Sequence, residues 1–172
     1  MEQQHVHLCV TCKQLITPPD MQPVRWITND DVEALAEHFQ SGREGVMWSP
    51  EEWSDLMEQG YLYAGHFRGN RLCSIAGVWK WEPDVWEVIN VATKDGYQRM
   101  GLAKATVHFV AKYILGEGKV ATYTPMSDNI ASIRTALGVG FHYCTRLVGN
   151  EKWCKTGDRP LNCDGLCSLL AI

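Results

Sequence analysis

The sequence predicts a mixed α/β fold of the α+β kind, a mostly antiparallel central sheet flanked by helices. Short β-branched and aromatic runs crowd the middle of the chain, two of them meeting at the turn dipeptide Gly69-Asn70. Capped amphipathic stretches lie on either side of them. The chain has 172 residues, 45% of them hydrophobic and 21% charged, which suits one domain with a substantial core.

The elements follow in order. Residues 1–23 carry HVHLCVTC and then TPPDMQP, whose prolines disfavour regular structure, so an N-terminal appendage or edge segment is expected. VRWI at 24–27 is a short strand, and a helix over about 30–40 places Val32, Leu35, Ala36 and Phe39 on one face. SPEEW opens a second helix: Ser49 caps it, Pro50 fits its first turn, Glu52 completes a capping box and Gly60 stops it. YLYAGHF (61–67) and RLCSIAGVWKW (71–81) form a hairpin, and WEVINVAT (86–93) is a third strand beside it.

From 101 to 115, Ala103, Val107, Val110 and Ile114 form an apolar stripe, with Lys104, His108 and Lys112 on the opposite, solvated one. KVATYT (119–124) is a strand. Asn129 opens a helix with Ile130, Ile133 and Leu137 inward, ended by Gly138 and Gly140, and FHYCTRLV (141–148) closes the sheet. The expected order is β-αα-βββ-α-β-α-β, over a domain spanning 24–148. A Cys-containing tail, 149–172, is expected to pack on the same domain.

A net charge of −4 and a pI near 5.8 provide no general basic field, which argues against nucleic acid or an anionic membrane as partner. No apolar run approaches the roughly 20 residues that span a bilayer, and MEQQHVHLC lacks the basic and apolar regions of a signal peptide. A cytoplasmic protein acting on small molecules is expected. Seven cysteines, an odd number, are then expected to stay as thiols rather than form a disulfide framework.

The stretch GYQRMGLAKA, 96–105, sets two glycines and a Gln-Arg pair at the mouth of the long helix. Helix-start N–H groups lack internal partners and carry the positive end of the macrodipole, so a bare mouth suits an anion. Gly96 and Gly101 have P-loop spacing, but Leu102 and Ala103 stand where a nucleotide site needs its lysine and hydroxyl. Gly138-Val139-Gly140 follows a helix rather than a strand, which excludes the dinucleotide fingerprint.

Gln98-Arg99-Met100-Gly101-Leu102-Ala103 at a strand-to-helix junction resembles the Arg/Gln-x-x-Gly-x-Gly/Ala hallmark of the GNAT superfamily of acetyl-CoA-dependent N-acetyltransferases. Asn129 at a helix start, followed by Gly140-Phe141, is similar to a second feature of that family, and the element order agrees over roughly 24–148. The resemblance implies a GNAT-type sheet, splayed at the cofactor site, and an anion that is the pyrophosphate of acetyl-CoA. It would be held by backbone amides of Gln98, Arg99, Met100, Gly101, Leu102, Ala103 and Lys104. It also implies that the strand end Val91-Ala92-Thr93 offers its edge to pantetheine, that the amide near Val91 polarises the thioester, and that Asn129 and Ser132 form the other wall.

N-acetylation needs an uncharged amine, so a base must act before attack and an acid can protonate the departing thiolate. Glu87 is the expected base. It lies eleven residues ahead of Gln98, the offset of the catalytic glutamate in members that use one, and alternation groups it with Ile89 and Val91. The tyrosine that many members carry seven residues after the helix-opening Asn is Ala136 here, so the usual acid is missing. Tyr143 is the expected substitute, with Tyr123 and His142 as further candidates.

Trp79, Trp81 and Trp86 around Pro83, with Trp48 and Trp53 opposite, are candidate acceptor walls or plain aromatic packing. Cys9-x-x-Cys12 with His5, His7, Cys163 and Cys167 has partial zinc-ligand spacing, but no metal is expected. The resemblance therefore implies acetyl transfer from acetyl-CoA to a primary amine by direct attack in a ternary complex, by a monomer or homodimer. The alternative is a non-catalytic acyl-CoA-binding or regulatory domain of the same fold.

Overall fold

The computed structural model describes residues 5–10, 14–19, 24–40, 50–80 and 82–143. Its strands are β1 (Leu8–Val10), β2 (Val24–Trp26), β3 (Leu62–Arg68), β4 (Arg71–Trp79), β5 (Val85–Thr93), β6 (Val120–Tyr123) and β7 (His142–Tyr143). Its helices are α1 (Val32–Gln40), α2 (Pro50–Glu58), α3 (Leu102–Gly116) and α4 (Ile130–Leu137). The sheet order is β2-β3-β4-β5-β6-β1-β7. Every pairing is antiparallel except β5 with β6, which α3 connects as a parallel crossover.

The two faces of the sheet bury different cores. On one, α3 and α4 cover Ala64, Ala76, Val78, Trp86, Val88, Ala121 and Tyr123. On the other, α1 and α2 cover Tyr63, Phe67, Leu72 and Ile75 with Leu35 and Trp53. Ahead of α1 a single 3-10 turn, Asn29–Asp31, is fixed by Asp31: its carboxylate accepts two bonds from Arg25, at 2.7 and 2.6 Å, and one from the Thr28 N–H at 2.9 Å. The Arg25 guanidinium holds the Asp31 carboxyl down at about 2.

Three expectations from the N-terminal region and the long helix need correction. Residues 8–10, expected in an appendage, form β1, fully buried between β6 and β7 and paired with both. The segment then crosses the back of α3 and α4, where the Ile16 N–H donates to the Val139 carbonyl at 2.8 Å. That crossing covers His108, expected on a solvated stripe: the imidazole is 3% exposed and its Nδ1 lies 3.0 Å from the Ile16 carbonyl. Cys9, expected as a thiol, is disulfide-bonded, whereas Cys73 is free and buried. The tail 149–172, Trp48, Trp81, Cys12, Cys163 and Cys167 lie outside the described residues.

Candidate active site

The sheet opens into a fork. β5 pairs with β6 from Val85↔Val120 to Val88↔Tyr123, after which β5 runs on to Thr93 while β6 turns away. Residues 89–93 keep β4 on one side, but among the described residues no strand pairs with their other edge. A bulge marks the divergence: Gly77 faces Ile89 and Ile75 faces Ala92, leaving two β5 residues, Asn90 and Val91, against one on β4. Asn90 takes a left-handed φ of 49°, which asparagine tolerates, and its Nδ2 donates to the Tyr63 hydroxyl at 2.9 Å. The Tyr63 ring crosses Gly77, where there is no side chain to obstruct it.

The bulge corrects the expected alternation. Glu87 and Ile89 do share the α1/α2 face, but the extra residue turns Val91 to the α3 side, and Ala92 takes the next inward place. The Lys94 N–H donates to the Cys73 carbonyl at 2.9 Å, so alternation turns the backbone groups of the preceding Thr93 away from β4. A hydroxyl chain fixes that end of β5 to α3: Ser74 Oγ contacts the Ala92 carbonyl at 3.1 Å, Thr93 Oγ1 at 2.9 Å and Thr106 Oγ1 at 3.3 Å.

Beyond Thr93 the loop turns through Gly96, Arg99 and Gly101, with φ of 84°, 61° and 83°. Gln98 braces it by donating to Asp95 at 2.8 Å, and Arg99 and Met100 are exposed. Gly101 is the N-cap of α3 and supplies no capping side chain. The first helical bond is Ala105 N–H to the Gly101 carbonyl, so the N–H groups of Leu102, Ala103 and Lys104 precede the ladder. The Lys104 ammonium is folded over Gly138 at the end of α4, leaving the mouth clear. A clear, positively polarised mouth beside a free strand edge fits an extended ligand with an anionic end.

Two titratable groups flank the fork on opposite faces. Glu87, partly buried, is paired laterally with Trp79 on β4 and Thr122 on β6. Burial pushes its carboxyl up, and Thr124, where β6 leaves the pairing, pulls it partly back. Across the sheet Tyr123 is 3% exposed, and its hydroxyl lies 2.6 Å from Ser132 Oγ on α4. Burial, with a smaller contribution from the Glu87 charge, pushes this phenol up to about 12. Asn129 caps α4 by accepting from the Ser132 N–H at 3.1 Å, which sets Ser132 in place.

Tyr143 is not brought to this point. In the lateral row Val88, Tyr123, Leu8, Tyr143 it stands three strands from β5, roughly 14 Å by ordinary strand spacing, and is 51% exposed. The inserted strand β1 displaced it, and a three-residue strand among prolines and cysteines carries no periodic signal that would have warned of this. The tryptophans also separate. Trp79, 41% exposed, is on the Glu87 face; Trp86 packs on the other against Tyr113; and Trp53 is buried against Tyr63. Among the described residues no group of three or more His, Cys, Asp or Glu side chains is placed to hold a metal.

The comparisons identify the class to which this forked mixed sheet with its uncapped crossover helix belongs. The model of the Acetyltransferase (GNAT) family matches residues 27–141. A GNAT-family protein from Novosphingobium aromaticivorans DSM 12444 is 20% identical, with a TM-score of 0.61 over 81% of this chain and 60% of that one. An acetyltransferase from the GNAT family of Colwellia psychrerythraea is 13% identical, with a TM-score of 0.70 over 83% of this chain and 53% of its own. The ribosomal-protein-S18-alanine N-acetyltransferase of Escherichia coli is 19% identical, with a TM-score of 0.58 over 69% and 76%. No curated protein matches the chain in sequence.

The chain belongs to the GNAT acetyltransferase family. It spans a little over half the length of the first two structures it resembles. The family typically uses acetyl-CoA with an acceptor. No described helix is long and apolar enough to cross a membrane.

Proposed function

We propose that this chain transfers acetyl from acetyl-CoA to a primary amine by direct attack in a ternary complex. The observation that carries the reading is the fork: a free β5 edge at 89–93 leads to the bare mouth of α3, and Glu87 sits where the strands part. The 98–104 loop holds the pyrophosphate through backbone amides, the edge of Val91 and Thr93 aligns the pantetheine arm, and Asn129 and Ser132 wall its far side. The transferase domain runs over 24–148, with β1 added to its sheet.

Glu87 removes a proton from the ammonium, directly or through water. The amine then attacks the thioester carbonyl, polarised by the amide near Val91. Tyr123, rather than Tyr143, gives its proton to the departing thiolate and regains one from the nitrogen as the intermediate collapses to the amide, with Ser132 Oγ aligning the phenol. Base and acid thus approach the reacting atoms from the two faces of the sheet. A phenol that titrates near 12 stays protonated across the working range and remains a donor.

The test is calorimetric titration of the protein with acetyl-CoA, with ATP as control, followed by thiol release with an amine panel. One saturable acetyl-CoA site per chain and turnover of at least one amine are expected. Glu87→Gln should lower kcat about 100-fold or more with acetyl-CoA affinity nearly unchanged. Because the base must be ionised, kcat/KM should rise with pH through an apparent pKa above the ordinary carboxylate range. Loss of acetyl-CoA binding in Glu87→Gln would remove the role. Binding without turnover of any amine would favour the non-catalytic reading, for which the alanine at 136 is the motive.

A further inference from the structure

We propose that Ser74 and Thr106 are positioning residues, whose buried hydroxyls hold the β5 edge and the mouth of α3 as one rigid frame for the pantetheine arm and pyrophosphate of acetyl-CoA. The inference rests on the functional reading above. It adds what sets the spacing between the two binding segments.

The frame is made of side chains closed off from water. Ser74 on β4 and Thr106 on α3 are both 0% exposed, and their hydroxyl oxygens lie 3.3 Å apart. Ser74 Oγ donates to the Ala92 carbonyl at 3.1 Å and lies 2.9 Å from Thr93 Oγ1. Thr106 Oγ1 donates back along its own helix to the carbonyls of Leu102 and Ala103, at 3.1 Å each. One connected set of hydroxyls thus reaches both segments.

Each of the three carbonyls is the back end of a peptide unit whose front end is an N–H of the site. A peptide is planar and trans, so its C=O and the N–H of the following residue point in opposite directions. Holding the Ala92 carbonyl therefore aims the Thr93 N–H away from β4. Holding the Leu102 and Ala103 carbonyls aims the N–H groups of Ala103 and Lys104, two of the three that precede the α3 ladder. A hydroxyl bonded at the carbonyl end also polarises the N–H at the other, which strengthens it as a donor.

Backbone satisfaction does not call for these hydroxyls. As helical carbonyls, Leu102 and Ala103 already accept from the N–H groups four residues on. Thr106 lies among the buried apolar residues of α3, Leu102, Ala105, Val107 and Val110, where a valine would fill the same volume with no hydroxyl to desolvate. What the hydroxyls add is a fixed geometry between β5 and α3. Covalently these elements are joined only by a loop with three left-handed residues, Gly96, Arg99 and Gly101.

The experiment compares full-chain wild type with Ser74→Ala, Thr106→Val, Thr106→Ser and the Ser74→Ala/Thr106→Val double variant, by calorimetric titration with acetyl-CoA and by 15N relaxation without ligand. Thr122→Val is the control: Thr122 is equally buried, and its hydroxyl likewise donates to a backbone carbonyl, that of Trp86 at 3.1 Å, where β5 and β6 are still paired. Acetyl-CoA affinity should fall about tenfold in Ser74→Ala and in Thr106→Val, and hold within about threefold in Thr106→Ser, which keeps the hydroxyl, and in the control. Residues of one network couple, so the double variant should fall well short of the roughly hundredfold product. In the free protein, backbone order at Thr93, Ala103 and Lys104 should drop in the variants that delete a hydroxyl of the frame, and not in Thr106→Ser or the control. Unchanged affinity, equal losses in Thr106→Ser and Thr106→Val, or a double variant at the full product overturns the proposal. If wild type binds no acetyl-CoA, the functional reading fails on its own, and unchanged order at the three amides still overturns the frame.

Discussion

Replacing Gly101 with alanine isolates backbone conformation from packing. Gly101 holds φ at 83°, and a Cβ built on it meets nothing within 4 Å. The methyl group therefore collides with nothing in the protein, and the cost is the left-handed backbone itself, about 1–2 kcal/mol for a non-glycine residue. That cost has two destinations. If the loop keeps its shape, the folded state loses about 1–2 kcal/mol; if it relaxes, stability is spared and the amides before Ala105 no longer converge. At 1.4 kcal/mol per tenfold, the second route weakens acetyl-CoA binding about 5- to 30-fold.

Urea unfolding and calorimetric titration on the same preparations measure the two losses, whose sum should reach about 1–2 kcal/mol. Gly116→Ala is the control, since its Cβ is equally unopposed but its backbone is helical; it should be neutral or slightly more stable. Gly140→Ala is the opposite control. It combines φ of 102° with a clash against the Gln14 carbonyl, so it should lose more stability without a direct effect on binding. Wild-type stability together with wild-type affinity in Gly101→Ala would refute the reasoning, as would an equal loss in Gly116→Ala.

Tyr123→Phe should lower kcat about tenfold or more while acetyl-CoA affinity holds, and wild type should show no alkaline decline from this phenol below roughly pH 10, as steady-state pH profiles will show. An unchanged kcat would remove Tyr123 from the reaction. Asp31→Asn should cost about 1–2 kcal/mol at neutral pH by urea unfolding, a figure moderated because Arg25 is half exposed. The Asp31 carboxyl titrates lower in the folded chain, about 2 against 3.8, so its contribution is full above about pH 4 and lost toward pH 2, where the variant and wild type should converge.

The parts of the site read most clearly from the sequence are those built by local rules. Gly96, Gly101 and the uncapped helix start are legible because backbone conformation selects glycine where φ is positive. Glu87 and Asn129 occupy their elements as the hallmark spacing implies. What escaped is what depends on residues distant in the chain. The bulge at Asn90 and Val91 alters no composition, so simple alternation put Val91 on the wrong face. His108 has the spacing of a solvated residue, and only the remote Ile16 carbonyl makes it a buried one. The Tyr123–Ser132 contact joins a strand to a helix across a loop, and neither residue type announces it.

The place of β1 in the sheet sets an order of events during synthesis. Leu8–Val10 are made well before both partner strands, Val120–Tyr123 and His142–Tyr143, which come more than a hundred residues later in the chain. At roughly 5–20 residues per second, this apolar segment waits several seconds or more with its backbone unpaired. The sheet from β2 to β6 can assemble meanwhile, since none of those pairings involves the N-terminus. Closure then brings the first of the described strands between two made much later. A fusion or tether that slows this final insertion would leave a chain with its α3 core formed but its last strand undocked, exposing the free edge of β6 to a neighbouring chain.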